Sequence, residues 1–182
     1  MIEKNQELVN ALRAADLFAV RGALASGADP QCKVGKGDAL MVAVKESSRE
    51  CVRALLLAGA NARQPTIFGD THLTQATVRG DAKIVAELLP FCDANEPDSG
   101  GERAVLIAAR QSSVEMLRLL LPVSDFRRPD DWGLTPLDHA RNWGNKLAVA
   151  FIESYGLALS EQRELDGEVA CAVRAGARPP TL

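Results

Sequence analysis

His72 and His139 are the two histidines of the chain, and His139 directly follows Asp138 in "DDWGLTPLDHARNWGN", residues 130–145. An Asp–His pair invites acid–base chemistry, which needs the carboxylate to orient the ring and a nucleophile or reacting proton beyond it. Neighbours on one helix point about 100° apart, so Asp138 is badly placed to orient His139. His72 is read without a companion acid and is assigned no chemistry. Cys32, Cys51, Cys92 and Cys171 are widely separated, with no CxxC pair and neither histidine close by. Neither thiolates nor imidazoles therefore stand at zinc-ligand spacing. "DSGGE" (98–102) lacks the Lys-Ser/Thr of a phosphate loop, and no strand pattern precedes it. The expectation is no catalytic residue, no metal and no cofactor. A hydrolytic enzyme using His139 or a cysteine is the distant alternative.

The same stretch carries Trp132 and Trp143, which point instead to a binding surface. Composition sets what such a surface is mounted on. The 182 residues are 47% hydrophobic but only 4% aromatic, so the apolar mass is mainly Ala, Leu and Val. That favours thin, closely packed helices over a sheet filled with β-branched and aromatic residues. A net charge of −3 offers no basic stripe for nucleic acid. The N-terminal "MIEKNQELVNALRAAD" has charges where a leader needs an apolar run, and no segment approaches ~18 apolar residues. A cytoplasmic protein with free thiols is expected.

The chain repeats at an interval of 32 residues. Asp29, Asn61, Asp93 and Asp125 form one series, and Gly37, Gly69, Gly101 and Gly133 a second. Ser48, Gly80, Ser112 and Gly144 form a third, and Pro90 with Pro122 a fourth. Periods of this size indicate a solenoid. Each Gly of the second series precedes a short apolar run: Ala39–Val44, Leu73–Val78, Ala104–Ala109 and Pro136–Ala140. Such runs are too short to stand alone as helices. The third series breaks the chain, and a second helix follows, clearest where Val114, Met116, Leu117, Leu120 and Leu121 make one face. Asp81 and Ser113 are placed to cap second helices, and Pro90 and Pro122 to stop them. The unit is helix, turn, helix, extended turn.

"GLTPLDHARNWGN", its later "YG", and "LLLAGAN" (55–61) resemble the ankyrin repeat, with its Gly-x-Thr-Pro-Leu-His start and Gly-Ala-Asp end. The resemblance spans about 1–157. It is fullest in the last complete unit, which keeps Gly133, Thr135, Pro136, Leu137, Ala140, Gly144 and Gly156. The other starts depart from it: Thr71-His72-Leu73 has His for Pro, Arg103-Ala104-Val105 lacks all three signature residues, and Asp38-Ala39-Leu40 keeps only the Leu. The resemblance implies an all-α solenoid of about five helix-turn-helix units, at approximately 1–29, 30–61, 62–93, 94–125 and 126–157. Residues 158–182 follow as a C-terminal capping helix and tail, with Leu165, Val169, Ala172 and Val173 on one stripe and 178–182 frayed. It also puts Asp138 where the family has His, a position that hydrogen-bonds the neighbouring turn.

In that family the turn tips and the first-helix face bind partner proteins. Trp132 precedes Gly133 and Phe68 precedes Gly69, while the constant interval puts Gly100 and Lys36 at the same place in other units. The fold therefore does not require these aromatics, and large aromatics are enriched at binding hot spots. The expected contact surface comprises Ile67, Phe68, Asp70, Val78, Arg79, Ser99, Glu102, Arg110, Gln111, Asp131, Trp132, Leu134, Asn142 and Trp143. Its mixed chemistry suits a protein epitope. The expected partner is another protein, not nucleic acid or a membrane, and the chain itself is expected to be a monomer. The expected function is protein binding without catalysis, most simply inhibition or neutralisation of the partner, as in immunity-type proteins. An adaptor joining two proteins is the alternative.

Overall fold

A computed structural model describes residues 2–111 and 113–174, with backbone alone for 165–174. Helix pairs follow one another: α1 (Ile2–Arg13) with α2 (Leu17–Ala25), α3 (Ala39–Lys45) with α4 (Arg49–Leu57), and α5 (His72–Val78) with α6 (Ala82–Leu88). After them come α7 (Ala104–Arg110) with α8 (Val114–Leu120), and α9 (Pro136–Asn142) with α10 (Lys146–Arg174). The first helices α1, α3, α5, α7 and α9 touch in sequence to form one layer, and α2, α4, α6, α8 and α10 form the other. The core runs unbroken between these layers from Leu8 to Ile152. Small residues set its thickness: Ala104, Ala108 and Ala109 are fully buried in α7, where they let α5 and α9 approach from either side.

Local chemistry starts three of the second helices. Asp16, Asp81 and Ser113 accept backbone N–H bonds from the first turns of α2, α6 and α8. Single turns of 3-10 helix containing Pro90 and Pro122, Leu89–Phe91 and Leu121–Val123, end α6 and α8. Between α2 and α3 the chain forms a two-stranded antiparallel hairpin, β1 (Lys33–Val34) with β2 (Gly37–Asp38).

The interval of 32 is a sum of unequal parts. Asp29 to the α3 cap Asp38 is nine residues, whereas Asn61 to the α5 cap Thr71 is ten, as are the two later tips. The deficit moves elsewhere in later units: Ser48 to Asn61 is thirteen residues, but Asp81 to Asp93 and Ser113 to Asp125 are twelve. Two different one-residue deletions thus give the same period. The equivalences of Gly37 with Gly69 and of Ser48 with Gly80 are consequently off by one. Ser48 stands at the cap position of α4 while Ser47 takes the left-handed conformation that Gly80 adopts. Counted back from the caps, Lys36 stands level with Gly69, and Gly35 with Phe68.

The expected boundary at 157 falls inside α10, which runs through Gly156 without a turn. Its first part serves as a second helix: Ala148 and Ile152 are buried, and Tyr155 meets Phe126 edge-on at 5.5 Å between ring centres. The break at Ser112, the side chains of Leu165, Val169, Ala172 and Val173, and the tail 178–182 lie outside the described residues.

Candidate functional site

Three tips share one construction. Thr66, Asp98 and Asp130 each present a side-chain oxygen to the N–H groups two and four residues on: Phe68 and Asp70, Gly100 and Glu102, Trp132 and Leu134. The backbone closes each loop twice, for example Asp130 N–H to Leu134 carbonyl at 2.9 Å and Gly133 N–H to Asp130 carbonyl at 3.0 Å. Gly69, Gly101 and Gly133 sit at φ near +80°, which a residue with a Cβ adopts only with strain. Sequence reasoning missed the Thr66, Asp98, Asp130 series. The signal was there: an oxygen-bearing side chain three residues before each of these glycines, again at steps of 32. The construction also removes the phosphate reading of "DSGGE", because Asp98 already occupies two of the amides an anion would need.

Both histidines have acid partners that lie elsewhere in the chain. His139 Nε2 is 2.6 Å from Asp130 Oδ2, nine residues back, so α9 is tied to its own tip. Asp138 does not orient His139 and does not reach the neighbouring turn. It forms a capping box with Thr135, accepting that residue's N–H and hydroxyl at 2.9 and 2.6 Å. The expectation that His72 lacks a companion acid is also corrected. Its ring is fully buried, with Nε2 3.0 Å from Asp38 Oδ1 and Nδ1 3.1 Å from the Ala62 carbonyl. Asp38 lies 34 residues away in sequence but one unit away in space, which sequence adjacency does not reveal.

The carboxyls respond accordingly. Burial pushes Asp38 up, but the His72 hydrogen bond and charge, the Met41 N–H and Lys33 outweigh it and hold the group below the ordinary carboxyl range. Asp130 is also lowered: burial opposes, while His139 and the amides of Leu134 and Trp132 prevail. Hydrogen bonds from Thr135 lower Asp138. Among the described residues neither histidine hydrogen-bonds a hydroxyl or thiol, and no group of three or more metal-ligating side chains gathers. Burial pushes the Cys92 thiol to about 12 and also raises Cys32, which disfavours the nucleophilic thiolate.

The expected contact residues divide into exposed and engaged groups. Ile67, Phe68, Trp132 and Trp143 are 70, 52, 68 and 63% exposed, and Val78 is 48% exposed. Ser99, Asp131 and Asn142 are exposed too, and Asp70 and Leu134 are half-buried. Lys36 Nζ lies 4.5 Å from the centre of the Phe68 ring, and the Arg110 guanidinium 5.8 Å from that of Trp143. Arg110 also holds Glu102 in a two-pronged ion pair, with Nη2 to Oε2 at 3.0 Å. Gln111 donates to the Val78 carbonyl at 3.0 Å, and Arg79 to the Ser47 hydroxyl at 3.2 Å. Asn145 donates to the carbonyls of Ala109 and Arg110. The ends of adjacent first helices are thereby linked across units, and Trp143 is carried on that linked edge.

A further residue invisible to motif reading is Arg103. It stands at the α7 cap position but makes no cap. Its buried guanidinium donates to the Asp125 carbonyl at 3.1 Å and to that of Arg128 in the following turn.

The family model described as ankyrin repeats (3 copies) matches residues 8–98 and residues 73–160. No curated protein matches the chain at a significant level. Among the described residues no helix is long and apolar enough to cross a membrane.

Proposed function

The chain belongs to the ankyrin repeat family and is therefore a protein–protein interaction module, and we propose that it binds one partner protein through its tips and first-helix face and so blocks that partner. The observation that carries this reading is the exposure of Trp132, Phe68, Ile67 and Trp143 on backbone held by repeated tip hydrogen bonds and cross-unit side-chain links. A surface ordered before contact loses little entropy on docking, so its aromatics contribute more of their burial to affinity. A standard interface of ~800 Å² per partner would occupy most of the four tips. Inhibition by occlusion needs no catalytic group, and the two Asp–His pairs have structural roles as cap and tip fastenings.

The adaptor reading draws on the other layer, where Phe18, Leu57 and Leu147 are also exposed. An adaptor forms a ternary complex, whereas an inhibitor forms a binary one and silences its partner.

The test uses affinity capture from the native host with Trp132→Ala and Phe68→Ala beside the wild type. Each substitution should weaken capture by about thirtyfold, the effect of losing a ~2 kcal/mol hot spot, with the melting temperature unchanged. If both variants unfold, or both capture as well as wild type, the assignment fails.

A further inference from the structure

Between the short tip of the second unit and the longer tip of the third lies a cleft of about 190 Å³. Buried Met41 and half-buried Val34 and Val42 line its depth, Phe68 stands at one side, and the exposed Lys36 and Lys45 complete the rim. Its origin is local. The residue directly before the first-helix cap is Asp70, Glu102 or Leu134 in the third to fifth units, but Gly37 here. A Cβ on Gly37 would meet Met41 Cβ at 3.2 Å and Cγ at 3.3 Å, so the opening depends on the missing side chain. The one-residue deletion in this tip brings Gly37 to that position. An Ile67 N–H to Lys36 carbonyl bond at 3.4 Å ties the two tips together beside the cleft.

The chemistry of the lining selects its occupant. The volume is below the ~300–1,000 Å³ of small-molecule sites, so it takes one side chain of a larger ligand. The apolar depth calls for an aliphatic or aromatic side chain. Among the described residues neither Lys36 nor Lys45 is in an ion pair. The Asp38 carboxylate is engaged by His72 and by the Met41 N–H. With Asp38 withdrawn into these contacts, two exposed lysines stand at the rim with one half-buried carboxylate, Asp70.

We infer that this cleft is an anchoring subsite for a segment of the bound protein that carries an apolar side chain followed by carboxylates. The inference rests on the reading that this face binds a protein, and it adds the chemistry that the second and third units select. Lys36, already over the Phe68 ring, and Lys45 meet the carboxylates while Met41 and Val42 receive the apolar side chain.

The test titrates ¹⁵N-labelled protein with amide-capped Ser-Leu-Glu-Glu-Ser, with Ser-Leu-Lys-Lys-Ser, and with hexanoate. The acidic peptide should shift the amides of Val34, Gly37, Met41 and Val42 with a Kd on the order of 1 mM, and the basic peptide should bind about tenfold more weakly. Asp70→Asn should tighten the acidic peptide, and the double variant Lys36→Glu/Lys45→Glu should reverse the preference. Equal shifts from both peptides, none up to ~10 mM, or shifts at Trp132 and Trp143 instead would overturn the inference. Hexanoate binding as well as the acidic peptide would assign the cleft to a free carboxylate and overturn the protein-segment source. A partner captured through Trp132 while the cleft stays silent removes this inference alone. A responsive cleft with partner capture indifferent to Trp132→Ala removes only the assignment of the contact surface to the aromatics.

Discussion

The His72–Asp38 pair joins the second and third units through the interior, and removing it is the sharpest test of how the stack is held. The His72 ring is fully buried and faces acceptors at both nitrogens, Asp38 Oδ1 at 3.0 Å and the Ala62 carbonyl at 3.1 Å. One ring thereby ties the cap of the second unit to the backbone of the third. His72→Ala leaves the Ala62 carbonyl with the Cys92 thiol, a weak donor at 3.5 Å, and leaves the Asp38 carboxylate with the Met41 N–H beside a ring-sized void. Breaking a buried pair from one side costs about 3–5 kcal/mol, which for a chain of this length is roughly 6–20 °C in Tm. Asp38→Asn is gentler, because Asn caps α3 about as well as Asp while losing the charge facing the ring. Its cost should be about 1.5–3 kcal/mol, that of a hydrogen bond to a charged group.

The assay is urea unfolding at pH 7 of the wild type, both single variants and the double variant. The double should be less destabilised than the sum of the singles by about 1.5–3 kcal/mol, since the second substitution has no pair left to break. The pH dependence has a definite sign. The Asp38 carboxyl is held below its ordinary value of ~3.9 in the fold, so the unfolded chain binds the proton first as pH falls. The stabilisation is therefore fully present above about pH 5 and is lost as pH drops through the lowered folded value. The gap between wild type and Asp38→Asn should close in that window. Singles that add within ~0.5 kcal/mol, or a gap that persists in acid, would refute the coupling.

Gly22→Ala and Gly156→Ala should each raise stability by about 0.5–1 kcal/mol, read as a higher urea midpoint. Both sit inside helices without positive φ, with open space at Gly22 and ordinary contact with Phe126 at 4.0 Å at Gly156. Arg103→Met should cost about 2–3 kcal/mol by leaving the Asp125 and Arg128 carbonyls without their shared donor. Arg103→Lys should not restore it, because one ammonium does not span the fork; equal midpoints for the Lys variant and wild type would count against that role.

The helix pairs were legible because burial between two layers imprints a spacing on Val114, Met116, Leu117 and Leu120 that survives eroded signatures. The caps Asp81 and Ser113 were legible for a local reason, a side-chain oxygen within reach of the first-turn amides. Misreadings arose where a sequence statement stands for a spatial one. A constant interval reports only total length, so a short tip at Lys33–Asp38 and later short helix ends at Pro90 and Pro122 looked like one regular period. Sequence distance hid both partner acids: a tip loop returns Asp130 to the His139 ring, and α5 sets His72 against the cap of α3. A loop aromatic such as Trp132 was legible as a residue the fold does not need. Whether neighbours cover it depends on the surrounding units.

Asp130 uses one carboxylate oxygen to hold the amides of Trp132 and Leu134 at 2.9 Å each, and the other to meet His139 at 2.6 Å. The ring is anchored in α9, and α9 is packed against α7 through fully buried Ala140. The position of the Trp132 backbone is thus set by a chain of contacts running from the core to the tip. The third unit's tip lacks that fastening: Thr66 holds the amides of Phe68 and Asp70, and its histidine turns inward to Asp38. One histidine therefore stiffens the tip that carries Trp132, while the other fixes the cap beneath the cleft. Residue types suited to proton transfer thus hold geometry in both places, on a core too thin and alanine-rich to fix the tips by packing alone.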